Sequence, residues 1–154
     1  MDYLFQFEQD KYYALRRFPM AMRIKLDLCG YKLSIRDWSK LSRADRETLA
    51  AMPYDTTPQL DTFRERVKEL VVAIQGDSTE TQPCDRPALW ENIDEVPALT
   101  RELIAAQDII PPTPVQWAAL SLLQRYTLVK LTREGAKNEK LPAALREFGL
   151  WSGE

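Results

Sequence analysis

The sequence contains no histidine among its 154 residues. Histidine titrates nearest to neutrality and is the commonest metal ligand, so its absence rules out Ser-His-Asp and Cys-His catalysis and most zinc or iron sites. The two cysteines are too few for a disulfide framework or for a structural zinc site of their own. The five glycines form no G-x-G-x-x-G or G-x-x-x-x-G-K loop that would cradle a phosphate. The chemistry left open is that of carboxylates and thiols.

Long hydrophobic runs are also missing. The N-terminus, MDYLFQFEQDK, lacks the basic start and following apolar stretch of a secretory signal. The longest apolar stretch, near VQWAALSLL, is about half as long as a membrane span requires. We therefore expect a soluble cytoplasmic protein whose cysteines remain reduced.

Charge is unevenly distributed along the chain. The formal net charge is -2, but residues 1–46 carry ten basic and six acidic side chains, and residues 47–154 carry eleven and seventeen. The first third is therefore basic and the remainder acidic. This asymmetry suits a partner-binding surface, although a solvated basic helix is the simpler explanation.

Residues 19–30, PMAMRIKLDLCG, have the alternating apolar and charged pattern of a strand but the end signals of a helix. Proline suits the first helical turn, and Gly30 suits the left-handed position at which helices end. Ser34 then stands as the cap of a following helix, with Asp37 three residues later. These signals predict a helix over residues 19–29, packed on two sides, with Lys25 emerging between apolar neighbours.

Caps and apolar periodicity predict further helices, near 43–52, 57–76, 97–107, 115–131 and 142–149. Two of the predicted caps are Ser42, with Asp45 three residues later, and Thr113, with Gln116 three residues later. In the helix that follows Thr113, only Gln116 and Ser121 are polar between residues 115 and 123. We therefore expect this helix to be one continuous element at the centre of the core. In the helix before it, we expect Leu99 to point inward.

These elements predict an all-α fold, a single-domain bundle of about six or seven helices over residues 1–154. The alternation of Tyr3, Phe5 and Phe7 favours a short extended segment at the N-terminus. Residues 76–87, GDSTETQPCDRP, are polar and rich in turn residues, so we expect a flexible loop there.

Carboxylates and thiols offer few signs of catalysis. The acidic pairs, which we assign to surface or capping roles, are Glu8 with Asp10, Asp94 with Glu95, and Glu65 with Glu69. Asp10 has the position of an N-cap. Cys29 fits a small core residue, whereas Cys84, beside an arginine in the predicted loop, fits an incidental thiol unless its pKa is lowered. No metal or cofactor is expected.

The basic end of the chain offers one candidate surface, from neighbouring helices. Its basic residues are Arg16, Arg17, Arg23, Lys25, Lys32, Arg36, Lys40, Arg43 and Arg46. Many protein interfaces are anchored by arginines beside an exposed aromatic residue, and Trp38 lies among these basic residues. Trp38 is also predicted to form a hydrophobic staple with Leu33, which weakens it as an exposed anchor. The same basic residues would equally suit an anionic cofactor or nucleic acid. The net negative charge, the interleaved acidic residues and the lack of a helix-turn-helix, zinc or RNP signature argue against nucleic acid.

Four blocks, FQFEQD, FPMAMRIKLDLCGYKLSIRDWSKL, LQRYTLVKLTREG and LPAALREFGL, together resemble the nitrate-reductase-associated protein family. These small bacterial proteins are named for genes beside those of assimilatory nitrate reductase and molybdopterin synthesis. The resemblance implies an accessory or maturation factor for nitrate reductase, with no catalytic residue or cofactor carried over. It also implies a partner, the reductase or its molybdenum-cofactor machinery. The predicted docking contacts are Arg16, Arg17, Arg23, Lys25, Asp27, Arg36 and Trp38.

Two other functions remain open at this point. A small enzyme or cofactor-binding protein of molybdopterin or nucleotide metabolism, using carboxylates or Cys84, predicts a concave pocket with perturbed pKa values. A transcriptional regulator of nitrate genes predicts DNA binding that depends steeply on salt.

Overall fold

The computed structural model describes residues 3–9, 15–134 and 139–152, and helices dominate these ranges. The helices are α1 (Gln6–Gln9), α2 (Met20–Cys29), α3 (Ile35–Lys40), α4 (Arg43–Ala51), α5 (Thr57–Ala73), α6 (Ala98–Ala105), α7 (Pro114–Ala119), α8 (Leu122–Arg133) and α9 (Lys140–Glu147). A 3-10 helix covers Leu89–Glu91, and two short strands are β1 (Tyr31–Lys32) and β2 (Thr79–Glu80). Six of the described helices have seven or more residues, which confirms the all-α prediction.

The chain divides into two units, Met1–Asp85 and Arg86–Glu154, here called the N-terminal unit and the C-terminal unit. Each has its own buried residues and its own packed helices. The single domain expected over residues 1–154 and the flexibility expected of residues 76–87 stay predictions. None of the helices in the described ranges combines the length and the hydropathy needed to cross a membrane.

In the N-terminal unit, α2 packs against α4 and α5. Eight of the ten α2 residues are buried, which confirms the predicted helix with packing on two sides. The helix ends at Gly30, whose φ of 75° lies in the left-handed region and whose N–H donates to the Leu26 carbonyl at 3.0 Å. A side chain at Gly30 would also meet the carbonyl oxygen of Thr81, 2.5 Å from an ideal Cβ. Glycine is therefore required at this position for two reasons, the positive φ and the close approach of Thr81.

The helices after α2 begin at side-chain caps. The hydroxyl of Ser34 accepts from the N–H of Asp37, and that of Ser42 from the N–H of Asp45, both as predicted. A reciprocal capping box formed by Thr56 and Gln59 starts α5. Between α2 and α3, β1 pairs antiparallel with β2, a pairing that we did not predict.

In the C-terminal unit, α8 packs against α6, α9 and the 3-10 helix. Arg125 on α8 is buried, and its Nε donates to the carbonyl of Trp90 at 2.7 Å while Nη1 donates to that of Leu120 at 2.5 Å. Burial lowers the pKa of Arg125. The guanidinium thus joins α8 to the 3-10 helix and to the end of α7.

The continuous helix predicted over residues 115–131 is wrong. Leu120 is extended, with φ -71° and ψ 153°, and Ser121 starts α8 through a second capping box with Gln124. Because S-x-x-Q satisfies the first free N–H groups of a new helix, it competes with continuation of the old one. α7 is also not central to the core, since Val115 is 80 % exposed.

Two smaller expectations are also wrong. The N-terminal segment is not extended at residues 6–9, where the carboxylate of Glu8 accepts from the N–H of Phe5 at 3.2 Å and closes the turn at the start of α1. Leu99 does not point inward but is 50 % exposed, because α6 turns Thr100 and Ile104 toward its neighbours instead.

Candidate docking surface

The carbonyl of Leu15 anchors the segment that carries Arg16 and Arg17. It accepts hydrogen bonds from Nε1 of Trp38 at 2.6 Å and from Nη1 of Arg46 at 3.1 Å. Leu15 is fully buried with a φ of 51°, a conformation that a branched residue keeps only where its surroundings hold it. The backbone before the two arginines is therefore fixed to α3 and α4, while both arginine side chains are exposed.

The helix α3 supplies both an inward anchor and an outward arginine. Trp38 is completely buried, and its ring lies 5.2 Å from that of Phe18. Arg36 is exposed, and its neighbour Ile35 is 49 % exposed. Trp38 thus holds the backbone that precedes Arg16 and Arg17 and is not itself exposed to solvent.

Lys25 is completely buried inside α2. Its ammonium donates to the carbonyls of Leu49, Ala50 and Met52 at 2.5, 2.8 and 3.0 Å. These carbonyls lie at the end of α4, where the regular bonds within a helix run out, and that of Leu49 also accepts from the N–H of Met52 at 3.3 Å. The ammonium also lies 5.1 Å from the ring centroid of Phe63. Burial lowers the pKa of Lys25 to about 7, whereas the carbonyl acceptors favour its charged form. Lys25 therefore joins two helices in the interior.

Asp37 fastens the segment after α5 to α3. Its buried Oδ2 accepts from the N–H groups of Asp77 and Ser78 at 3.1 and 2.8 Å, and from the Ser78 hydroxyl. The hydroxyl bond is the main cause that lowers the pKa of Asp37, and the two backbone bonds add to it against the effect of burial. An ideal Cβ on Gly76 would lie 2.7 Å from Oδ2, so a glycine there lets the carboxylate approach.

Asp27 and Cys84 meet at a cleft of about 330 Å³ in the N-terminal unit. The N–H of Cys84 donates to the Asp27 carbonyl at 2.9 Å, which brings the predicted loop thiol beside α2. The cleft is lined by Leu26, Asp27, Tyr31, Lys32, Thr81, Gln82 and Cys84. It therefore combines one acidic, one basic and one thiol side chain, a lining that suits a small polar ligand.

The other thiol is a poor nucleophile. Burial raises the pKa of Cys29 to about 11, so the reactive thiolate is scarce at neutral pH. Across the part of the chain that the structure describes, no group of three or more cysteine, aspartate or glutamate residues is arranged to hold a metal ion. Cys29 thus occupies the core position predicted for it.

The structure sorts the seven predicted partner contacts by exposure. It exposes Arg16, Arg17 and Arg36, leaves Arg23 and Asp27 half-buried, and buries Lys25 and Trp38. The hydrogen bond from Trp38 to the Leu15 carbonyl joins the backbone before Arg16 and Arg17 to α3, the helix that carries Arg36 on its side away from Trp38. We call these three exposed residues, Arg16, Arg17 and Arg36, the arginine surface.

Two carboxylates organise this unit through burial and backbone partners that sequence reasoning missed, although Glu8 was assigned to a surface or capping role. Glu8 caps α2 from a distance, because its Oε2 accepts from the N–H of Met20 at 2.9 Å. Asp37 was predicted only as the third residue of a capped helix, without its bonds to residues 77 and 78. No sequence signal marks either interaction, since the partners are backbone groups remote in the chain. The N-cap predicted at Asp10 lies outside the described residues.

Comparison with known proteins gives one match. The model of a family described as conserved nitrate reductase-associated protein matches residues 4–148. No curated protein matches the chain, and neither does any solved structure. The family match extends through both units and confirms the resemblance drawn from the four sequence blocks.

Proposed function

The chain belongs to the conserved nitrate reductase-associated protein family, and we propose that it is a non-catalytic accessory or maturation factor of molybdenum-dependent assimilatory nitrate reductase. In this proposal it docks on the reductase or on the machinery that supplies its molybdenum cofactor. The family description supports the link to nitrate reductase, and the arrangement of charged side chains supports docking.

The observation that carries the proposal is the use of the buried charges. Glu8 caps α2, Lys25 binds three carbonyls of the α4 end, and Asp37 binds residues 77 and 78. An enzyme directs its perturbed charged groups into a pocket where a substrate reaches them. Here they bind the protein's own backbone, which favours a scaffold that presents a surface.

The arginine surface suits an acidic patch on a partner. Guanidinium groups bind carboxylates through two parallel hydrogen bonds, so arginines confer orientation as well as attraction. Arg16 and Arg17 follow a backbone carbonyl that is held by two side chains, and Arg36 stands beside the half-exposed Ile35. Arginine is among the residue types that most often dominate binding energy at protein interfaces.

Charge reversal tests the surface. We expect the double variant Arg16→Glu/Arg17→Glu to reduce co-purification of the nitrate reductase about tenfold or more. The reason is that two positive charges that attract an acidic patch are replaced by two negative charges that repel it. The matched control is Arg101→Glu/Arg133→Glu, which reverses two exposed arginines of the C-terminal unit and changes the net charge equally. If the two variants retain the same amount of reductase, or lose the same amount, docking through the arginine surface is contradicted.

A second measurement separates the possible roles. The reductase is purified from cells with and without this protein, and its molybdenum content and turnover are measured. Low molybdenum indicates a maturation factor, whereas full molybdenum with low turnover indicates an activator or subunit. Unchanged content and turnover, with no association, would remove the proposal.

The cleft between α2 and residues 81–84 favours a second candidate, a cofactor-binding protein of molybdopterin or nucleotide metabolism. Its volume of about 330 Å³ lies within the range of small-molecule sites, and Asp27, Lys32 and Cys84 supply polar groups. A pterin or nucleotide that binds the wild-type protein but not Asp27→Asn, measured by calorimetry, would support this candidate. Equal binding to both proteins, or binding to neither, would oppose it.

A further inference from the structure

Residues 77–84 form one wall of the cleft in the N-terminal unit, and we call this segment the strap. It follows α5, contains β2 and supplies Thr81, Gln82 and Cys84 to the cleft. The opposite wall comes from α2 and β1. The cleft therefore keeps its shape only while the strap lies against these two elements.

The strap buries none of its own side chains. Six of its eight residues are exposed, and Ser78 and Cys84 are half-buried. The helices beside it are different, since α2 buries Ile24 and α5 buries Phe63 completely. Because burial of apolar surface is the main favourable contribution to folding, the strap is held less firmly than these helices.

A buried carboxylate holds the start of the strap. Oδ2 of Asp37 accepts from the N–H groups of Asp77 and Ser78 at 3.1 and 2.8 Å, and from the hydroxyl of Ser78. The same hydroxyl accepts from the N–H of Ser34 at 2.9 Å. Asparagine has the shape of aspartate without its charge, so a substitution at residue 37 weakens this attachment while the packing around it stays similar.

Ion pairs and a short strand pairing hold the middle of the strap. Oε1 of Glu80 lies 3.6 Å from Nε of Arg64 and 3.2 Å from Nζ of Lys68, and all three side chains are partly exposed. β2 pairs with β1 over only two residues on each strand. Ion pairs that are open to water contribute little to stability, so the middle of the strap adds only a weak attachment.

Two bonds between backbone groups hold the far end of the strap. The N–H of Thr81 donates to the carbonyl of Gly30, and that of Cys84 to the carbonyl of Asp27, both at 2.9 Å. The bonds that Asp37 accepts lie at the other end of the strap. The N–H groups of Thr81 and Cys84 therefore report whether a change at the start of the strap affects its far end.

We propose that the strap opens as one unit while the helices of the N-terminal unit stay folded, and that this motion opens and closes the cleft. Segments with few buried apolar contacts open at a lower free energy than the core does, and they open in contiguous cooperative units. A ligand that contacts both walls binds the closed form alone and would therefore hold the strap shut. That consequence rests on the second candidate function, whereas the opening itself does not.

Hydrogen exchange of single amides, measured by NMR on the full chain, tests the proposal. The reporters are the N–H groups of Thr81 and Cys84, and the references are those of Phe63 and Val67 on the buried face of α5. After correction for intrinsic rates, we expect the reporters to exchange about tenfold faster or more. Low concentrations of urea should speed the references but not the reporters, because a local opening exposes little surface.

The variant Asp37→Asn tests whether the strap opens as one unit. It changes bonds at the start of the strap only, yet we expect the exchange of Thr81 and Cys84 to rise about tenfold or more. The matched control is Asp61→Asn, the same chemical change at an exposed residue of α5, which should leave both reporters as in wild type. Ser78→Ala is a second variant in case Asp37→Asn does not fold, which circular dichroism reports.

Three results would overturn the proposal. The first is that reporters and references exchange at the same rate and respond equally to urea, so that the strap opens only when the unit unfolds. The second is that Asp37→Asn and Ser78→Ala both leave the reporters unchanged, so that the two ends open independently. The third is that Asp61→Asn speeds the reporters as much as Asp37→Asn does. None of these measurements needs a ligand, so a failure of the second candidate function is seen separately, by calorimetry.

Discussion

The N-terminal and C-terminal units distribute charged and apolar side chains in opposite ways. Among the described residues, the N-terminal unit buries three charged side chains, Glu8, Lys25 and Asp37, and each of them binds backbone groups. In the part of the C-terminal unit that the structure describes, Arg125 is the one buried charged residue. This unit exposes most of the large hydrophobic side chains that face solvent, namely Leu89, Ile93, Leu99, Ile110 and Val115.

Residue type alone therefore does not identify a binding surface. In the N-terminal unit, several charged residues of the basic third are buried and bind backbone groups. The residues of the arginine surface are exposed instead. In the C-terminal unit, an apolar run that suggests a core helix instead presents one face to solvent. Measurements of the free energy of unfolding, made on full-length variants with substitutions in each unit, test whether these assignments are correct.

The largest expected effect concerns two glycines with the same φ angle. Gly30 and Gly149 both have a φ of 75°, but an ideal Cβ on Gly30 lies 2.5 Å from the Thr81 oxygen, whereas nothing lies within 4 Å of one on Gly149. We expect Gly30→Ala to lower the free energy of unfolding by about 3 kcal/mol or more, and Gly149→Ala by about 1 kcal/mol. Urea denaturation measures both, and equal losses would contradict the close approach at Gly30.

The next effect is the pH dependence that Lys25 confers. The pKa of its ammonium is about 7 when folded and 10.5 when unfolded, so between these values the unfolded chain binds more protons and stability rises with pH. Between about pH 7 and about pH 9 we expect a rise of up to about 2.5 kcal/mol in the free energy of unfolding. Above this window Cys29, whose pKa is raised to about 11, contributes with the opposite sign.

The control for this prediction is Lys25→Met, which keeps a chain of similar length without the titrating group. We expect it to lose the rise between pH 7 and pH 9 and to be less stable at pH 7, because three carbonyls lose their donor. Both are measured by urea denaturation at several pH values. A rise that persists in Lys25→Met would show that another group causes it.

A smaller effect is expected at Asp37. Its pKa is lowered in the folded protein, so its contribution to stability is present at neutral pH and is lost as the pH falls through the folded value. We expect Asp37→Asn to cost about 2 kcal/mol at pH 7, the typical strength of hydrogen bonds to a charged group. The variant should also lose less stability than wild type between about pH 5 and about pH 2. If the free energy of unfolding falls equally with pH in wild type and in Asp37→Asn, this role of Asp37 is contradicted.

The smallest effect concerns the caps, which both units share. Ser121→Ala removes the hydroxyl that accepts from the N–H of Gln124 and should cost about 1 kcal/mol. Ser42→Ala, which removes the corresponding bond to Asp45 in the N-terminal unit, is the matched control and should cost a similar amount. No loss in Ser121→Ala would mean that the break between α7 and α8 has another cause.

Helix ends were the most predictable feature of this fold. Ser34, Ser42 and Thr113 were identified as caps because the motif is local, and each forms the expected bond. Ser121 belongs to the same kind of motif, S-x-x-Q, but the apolar run on both sides of it favours a continuous helix, and here the local cap prevails over the apolar pattern. The all-α class followed from these ends and from the spacing of apolar residues.

The candidate surface was less predictable. Arg16, Arg17 and Arg36 are exposed as a docking surface requires, but the burial of Lys25 had no signature, because its acceptors are backbone carbonyls that every residue carries. The same holds for Glu8, whose partner is the N–H of Met20, twelve residues later. Interactions between a side chain and a remote backbone group emerge only from the folded chain.

The cap that Glu8 places on α2 has a practical consequence for anyone who prepares the protein. Because the carboxylate binds the first N–H of that helix, expression plasmids that start after residue 9 would leave a central helix without its terminal acceptor. An affinity tag joined after Glu154 leaves Glu8 and the residues before it unchanged. Poor yield of a shortened version would then reflect the missing glutamate rather than any weakness of the helices that follow.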